Sequence, residues 1–301
     1  MRIANVECLI ADPGYRNTIF VRTYTDEGVH GVGEAYPVGP DLATARWVEY
    51  FAEQLIGEDP IRIEFLWAKL YQGARFPIGS SGMAALSAID QTLWDIAGKT
   101  YGVPVHRLLG GRVRDRVRAY LGVHWDEPSD GLPASARAEV ESSGMTAFKT
   151  SPLPPSWRDM SWNDAVAAGR DRVRALREAA GPDADIGLDA HAAVFEPARV
   201  LELADALAEF NPMFMEEPLR MENRHAMGDL RRKMPFALAT GECLYTRYEF
   251  NDLIRHGAAD ILQPDVCIVG GMSEMRKLAA NAEAHDLVVA PHNPMGPLAT
   301  T

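Results

Sequence analysis

Five ionisable residues recur at nearly constant spacing in the second half of this chain: Asp189, Glu216, Glu242, Asp265 and His292, at intervals of 27, 26, 23 and 27 residues. Each interval is about one β-α repeat, and each residue closes a short apolar run that reads as a strand. In a parallel barrel the active site gathers at the C-terminal ends of the strands. This phase would therefore turn all five groups toward one mouth. A single acid after a strand more often caps the next helix, whereas five in phase suggest a site. Three clustered carboxylates repel one another and do not all ionise without a cation between them. An all-oxygen donor set suits a hard metal, Mg2+ first and Mn2+ as the alternative, while Zn2+ would call for Cys or several His ligands. The same acids also suit a network of ion pairs with Arg and Lys.

His292 ends a strand beside the one that ends in Asp265. A carboxylate against one imidazole nitrogen fixes the tautomer and supports the imidazolium, which makes a general base able to work near neutral pH. A histidine that only caps a turn is the plainer alternative. His191 lies two residues beyond Asp189. On an extended segment positions i and i+2 face the same way, so His191 is expected to stand over the same mouth. A pair of acid/base groups on opposite sides of a substrate suits an elimination, one taking a proton and the other protonating a leaving hydroxyl. A loop histidine or an additional metal ligand is equally compatible with the position of His191.

These groups need a scaffold, and the sequence supplies its rhythm. Strands are expected at 117–123, 146–150, 185–189, 212–217, 236–242, 260–265 and 287–292, with helices near 163–180, 197–209, 223–233, 247–256 and 272–284. Repeated β-α units argue for a parallel sheet. GxGxxG after the first strand is absent, so a (β/α)8 barrel is favoured over an open dinucleotide-binding sheet. The first part of the chain differs. Residues 17–25 and 29–35 read as a hairpin around 26–28, and helices are expected near 43–56 and 83–98, where Leu86, Ile89, Leu93 and Ala97 repeat at helical spacing. Strands followed by helices describe an α+β domain. The expected division is an α+β domain at 1–115 and a barrel at 116–301.

With 301 residues the chain can bury a sizeable core. A formal charge of −12 and a pI near 5.2 argue against a nucleic-acid partner. Cys8, Cys243 and Cys267 are far apart and odd in number, which argues against a disulfide framework and fits the reducing cytoplasm. The N-terminus does not read as a signal peptide, and no run approaches the length of a membrane span.

The stretches IGLDAH, FMEEPL, ATGECLYTRYEF, DILQPDVCIVGGMSE and APHNPMGP closely resemble the acid-sugar dehydratases of the mandelate racemase subgroup of the enolase superfamily, as do GVGEA and AIDQTLWDIAGKTYGVPVHRLLGG near the N-terminus. The resemblance implies an α/β fold, a modified TIM barrel with an N-terminal α+β capping domain. It implies Asp189, Glu216 and Glu242 as Mg2+ ligands, His292 with Asp265 as the base and His191 as the acid, with Glu217 behind the ligands. The reaction implied is α-proton abstraction from a sugar acid, aldonic or aldaric, through an enediolate to a 2-keto-3-deoxy acid. A small-molecule substrate and a homo-oligomer are expected.

Two departures matter. The racemases carry Lys-x-Lys on the second barrel strand, where this chain has Lys149-Thr150-Ser151. Serine cannot serve as that second base, so lysine-dependent racemisation is disfavoured. Lys149 is expected either to contact the substrate carboxylate or to pair with an acid. The family also continues through an eighth strand and a tail beyond the point reached at Thr301, and a truncated, inactive binding protein is one expectation that follows. An epimerase or racemase using His191 and His292 is another. A metal-dependent hydrolase would need an HxH pair where LGVHW offers only His124. The capping loops at 12–16 and 72–81 are the candidate specificity elements, with Tyr15, Arg16 and Arg75 as candidate substrate contacts.

Overall fold

In the computed structural model, which describes residues 1–14, 16–125 and 132–301, the alternation at 17–35 forms an antiparallel pair. Strand β2 (Thr18–Thr25) buries every second residue, and β3 (His30–Ala35) pairs with it so that Ile19 faces Ala35 and Val21 faces Gly33. A strand that the sequence reading did not anticipate, β1 (Ile3–Ala11), pairs antiparallel with β2. Helices α1 (Asp41–Leu55), α2 (Ile63–Gly73), α3 (Gly79–Tyr101) and the single turn α4 (Val105–Leu108) follow. Helix α2 was not expected either, although Ile63, Leu66, Trp67 and Leu70 give it a buried stripe.

Helix α3 is longer than its expected 83–98 and runs through Gly98. It ends where Gly102 takes the left-handed conformation at φ 66° and its N–H returns to the carbonyls of Gly98 and Lys99. Its middle is buried on all sides. Leu86, Ile89 and Leu93 join the core, while the buried polar groups find partners: the Thr92 hydroxyl bonds to that of Thr23, and Ser87 donates to the Met83 carbonyl. Strand β3 lies on this helix backbone against backbone. A Cβ at Gly31 would sit 2.0 Å from the Thr92 carbonyl oxygen, and one at Gly33 would sit 2.1 Å from that of Ala88. Any larger residue at either position would force the layers apart.

Beyond residue 116 the β-α rhythm appears as expected, with shorter strands. They are β4 (Leu121–Gly122), β5 (Ala147–Thr150), β6 (Asp185–Asp189), β7 (Phe214–Glu216), β8 (Leu238–Thr240), β9 (Ile261–Leu262) and β10 (Val288–Val289). The intervening helices are α5 (Ala134–Ser142), α6 (Trp162–Ala180), α7 (Pro197–Leu207), α8 (Arg224–Arg231), α9 (Thr246–Arg255) and α10 (Gly271–Glu283), with a last turn α11 (Pro297–Thr300). Ser161 caps α6 by accepting from the Asp164 N–H, Asn223 caps α8 through the Ala226 N–H, and Pro197 opens α7. Helix α5, with only Ala136 and Val140 buried, escaped the periodicity reading.

The chain divides into two units, one of Met1–Asp115, Glu242–Asn251 and Gln263–Thr301, the other of Arg116–Gly241 and Asp252–Leu262. In the second unit β4 to β9 run parallel, each hydrogen-bonded to the next in sequence order. The first unit holds the antiparallel sheet, α1 to α4, α10 and the segments carrying Glu242, Asp265 and His292. No helix among the described residues is long and apolar enough to cross a membrane.

Candidate active site

In the second unit, β6 and β7 are in register, so their terminal residues Asp189 and Glu216 are direct neighbours, both buried. Carboxylates this close and this dry require a positive charge. Lys149, on the adjacent β5, supplies one: its Nζ lies 2.8 Å from Asp189 Oδ2 and 2.6 Å from Glu216 Oε1. Burial alone would push this ammonium down, but the two carboxylates outweigh it, and the net shift is upward. Lys149 therefore pairs with acids, one of the two roles expected for it.

The backbone beyond Asp189 does not stay extended. His191 and Ala192 are left-handed, at φ 47° and 50°. The turn, rather than a strand's alternation, returns the exposed imidazole to Asp189, with Nε2 3.2 Å from Oδ2. The His191 N–H also donates to Asp189 Oδ1 at 3.1 Å. Glu217, at φ 42°, turns away into the protein. Its Oε1 accepts from Thr240 Oγ1 and the Gly241 N–H, each at 2.8 Å, whereas its Oε2 has no hydrogen-bond partner among the described residues. Burial pushes this carboxyl up to about 7, against the pull of those two donors.

In the first unit, His292 Nδ1 lies 2.9 Å from Asp265 Oδ2. The other oxygen of Asp265 accepts from the Cys267 N–H at 2.7 Å, and the His292 N–H donates to the Pro264 carbonyl at 3.1 Å. Nδ1 is thereby committed to the carboxylate, which fixes the orientation of the ring and points Nε2 the other way. It lies 3.5 Å from Glu242 Oε2, longer than a well-formed hydrogen bond. The Tyr36 ring is 6.1 Å away, and burial pushes its phenol up to about 12. Glu242, Asp265 and His292 all lie two or three residues past the strands β8, β9 and β10, in the following loops and not at strand ends as read from the sequence.

The capping-loop candidates differ in their surroundings. Arg16 is exposed and electrostatically close to Tyr36, whose pKa it pulls down. Arg75 lines a cavity of about 660 Å3 with Arg46, Trp47, Tyr50 and Phe76, and neither Asp265 nor His292 is in that lining. Tyr15 lies outside the described residues. Sequence reasoning missed the groups that hold the segments beside the first-unit pair: Glu34 and Gln91, from β3 and α3, bond to residues 296, 299 and 266, and Tyr36, just after β3, lies beside the imidazole, and no spacing rule connects them to His292.

Residues 12–110 match the mandelate racemase/muconate lactonizing enzyme N-terminal domain, and residues 131–301 match the enolase C-terminal domain-like family. A D-galactonate dehydratase from Variovorax paradoxus is 40% identical over 284 residues, spanning 93% of this chain and 72% of the relative. Among solved structures, a protein assigned as a galactarate dehydratase from Agrobacterium radiobacter, with sodium and L-malate bound, is 45% identical. It superposes with a TM-score of 0.93, covering all of this chain and 76% of that one. The 3,6-anhydro-D-galactonate cycloisomerase of Zobellia galactanivorans is 28% identical with a TM-score of 0.88, covering 100% of this chain and 82% of that one. The chain belongs to the mandelate racemase/muconate lactonizing enzyme group of the enolase superfamily, with that group's capping domain and modified barrel, and it is a lyase.

Proposed function

We propose that the chain dehydrates a sugar acid, aldonic or aldaric, to a 2-keto-3-deoxy acid, with Mg2+ or, in its place, Mn2+. The single observation that carries this reading is the His292–Asp265 pair, an imidazole held at Nδ1 by a buried carboxylate, in a family whose relatives bear dehydratase names. The donor chemistry fits a hard cation: Asp189 and Glu216 are buried oxygen donors that already gather around the positive charge of Lys149. The proposed ligands are Asp189, Glu216 and Glu242. When bound, the divalent ion lowers the cost of the second negative charge that develops on the substrate carboxylate as the α-proton leaves.

The rest falls to the chain's own residues. His292 Nε2 takes the α-proton, and Asp265 stabilises the imidazolium so formed. His191 gives a proton to the β-hydroxyl as its C–O bond breaks and water departs. The resulting enol then becomes the 2-keto group. Lys149, Tyr15, Arg16 and Arg75 are proposed as substrate contacts, Lys149 toward the carboxylate and the others toward distal hydroxyls. Domain limits at 1–115 and 116–301, a homo-oligomer and a cytoplasmic site of action belong to the same reading.

The test is a screen of aldonic and aldaric acids with Mg2+, read by 2-keto acid formation and by deuterium incorporation from D2O. Product formation supports dehydration. Deuterium at Cα of recovered substrate without loss of water would favour epimerisation by His191 and His292. No turnover with any sugar acid, from folded and metal-loaded protein, would point to a binding protein.

A further inference from the structure

The GVGEA segment has a role that the proposed chemistry does not use. Its glycines seat β3 against α3, and its Glu34 side chain is fully buried. Among the described residues no Lys or Arg forms a salt bridge with Glu34. Its carboxylate instead accepts two backbone N–H groups from the segment that follows His292, at the start of α11: Oε1 from Gly296 at 2.6 Å and Oε2 from Ala299 at 3.2 Å. A buried carboxylate has a strong need for donors, and these two answer it. The fit is close: a Cβ at position 296 would lie 2.8 Å from Oε1 and 3.0 Å from Oε2, so a larger residue there would displace the carboxylate.

Glu34 is itself held. Its N–H donates to Gln91 Oε1 at 3.0 Å, and Gln91 Nε2 donates to the Glu34 carbonyl at 2.9 Å. The same Nε2 reaches the Val266 carbonyl at 3.3 Å, one residue after Asp265. The next residue but one after Glu34, Tyr36, donates its N–H to the Cys267 carbonyl at 3.1 Å. The β3–α3 layer thus grips both chain segments that carry the pair: 266–267 beyond Asp265, and 296–299 beyond His292.

We propose that Glu34 is a positioning residue for the His292–Asp265 pair, its buried carboxylate fixing the loop after His292 through the N–H groups of Gly296 and Ala299, with Gln91 fixing Glu34 and the segment after Asp265 together. The catalytic consequence rests on His292 being the base, while the restraint on the loop does not.

The experiment uses the full chain with Mg2+ and compares parent, Glu34→Ala, Glu34→Gln and Gly296→Ala. Amide hydrogen exchange at residues 296 and 299 should accelerate at least about tenfold in Glu34→Ala, because the amides lose a charged acceptor. Turnover of the sugar acid should fall on the order of ten- to hundredfold in kcat with KM changed by less than about twofold. Glu34→Gln, which keeps one carbonyl acceptor, should recover part of both losses. Gly296→Ala approaches the same contact from the other side and keeps the test open if Glu34→Ala does not fold. Unchanged exchange at 296 and 299 in a folded Glu34→Ala protein would overturn the clamp. Faster exchange with kcat per folded molecule unchanged would overturn its positioning role. If His292→Asn leaves turnover intact, the base reading fails, while the exchange measurement still reports on Glu34.

Discussion

Each unit of the molecule contains an aspartate–histidine pair, and the two are built differently. Asp265 and His292 are 27 residues apart in sequence, meet at Nδ1 at 2.9 Å, and leave the imidazole only 11% exposed. Asp189 and His191 are neighbours on a left-handed turn, meet at Nε2 at 3.2 Å, and leave the imidazole 57% exposed. Each aspartate gives its other oxygen to a backbone N–H, but the oxygen of Asp189 that faces its imidazole is shared with the Lys149 ammonium. A carboxylate committed to one imidazole supports a proton acceptor. A carboxylate already balanced by a fixed cation leaves its histidine water-facing and free to deliver a proton. The difference matches the roles proposed for base and acid.

Substitutions can break that comparison. The largest effect is expected from His292→Asn, which should lower both product formation and Cα–deuterium exchange by about 10²–10⁴-fold. Retained exchange would remove His292 from the base role. Lys149→Met comes next. Stripping the ammonium from two buried carboxylates should destabilise the metal-free protein by roughly 3–5 kcal/mol. Added Mg2+ should then raise Tm more in the variant than in the parent, as thermal melts can show, and an equal rise in both would argue that the two cations do not compete for Asp189 and Glu216.

His191→Asn should sharpen the contrast between the pairs. Water loss should drop about a hundredfold, while Cα–deuterium exchange persists in recovered substrate. Equal loss of both signals would place His191 with the base. The smallest effect concerns a third buried aspartate, which forms no salt bridge among the described residues. Asp90 is pushed up to about 7 by burial, against the opposing pull of the Ser273 hydroxyl and N–H that donate to it. Its folded pKa lies above the unfolded one, so the folded state binds the extra proton between about pH 4 and 7. Its contribution to stability is fullest below that window and declines as pH rises through it. Urea melts across this range should show a shallower decline in Asp90→Asn than in the parent.

Much of this was readable before any coordinates. The 3.6-residue period of Leu86, Ile89 and Leu93 located α3, and the β-α rhythm located the parallel strands, because buried faces impose those periods on the sequence. Strand ends were overdrawn: the chain leaves the ladder early, so Asp265 and His292 project from loops. Helix α5 lacks an apolar stripe wide enough to register. Strand alternation does not describe His191, which sits on a left-handed turn that residue type does not announce. Glu34 was out of reach for a deeper reason. Its partners are backbone N–H groups 262 and 265 residues away, and a backbone donor leaves no mark on residue type.

The contact of β3 with α3 has a mechanical side. With glycine at 31 and 33, no layer of side chains cushions strand from helix, and carbonyl oxygens bear directly on the Cα atoms. Such a joint has little give, so a tilt of α3 carries β3 with it. Helix α3 starts at Gly79, directly after the short connection 74–78 that holds Arg75, and Gln91 lies about three turns further along. Loop and dyad support are thereby mounted on one stiff lever. A substitution that tips the helix at its start would therefore be felt at Gln91 and, through it, at Glu34 and Val266.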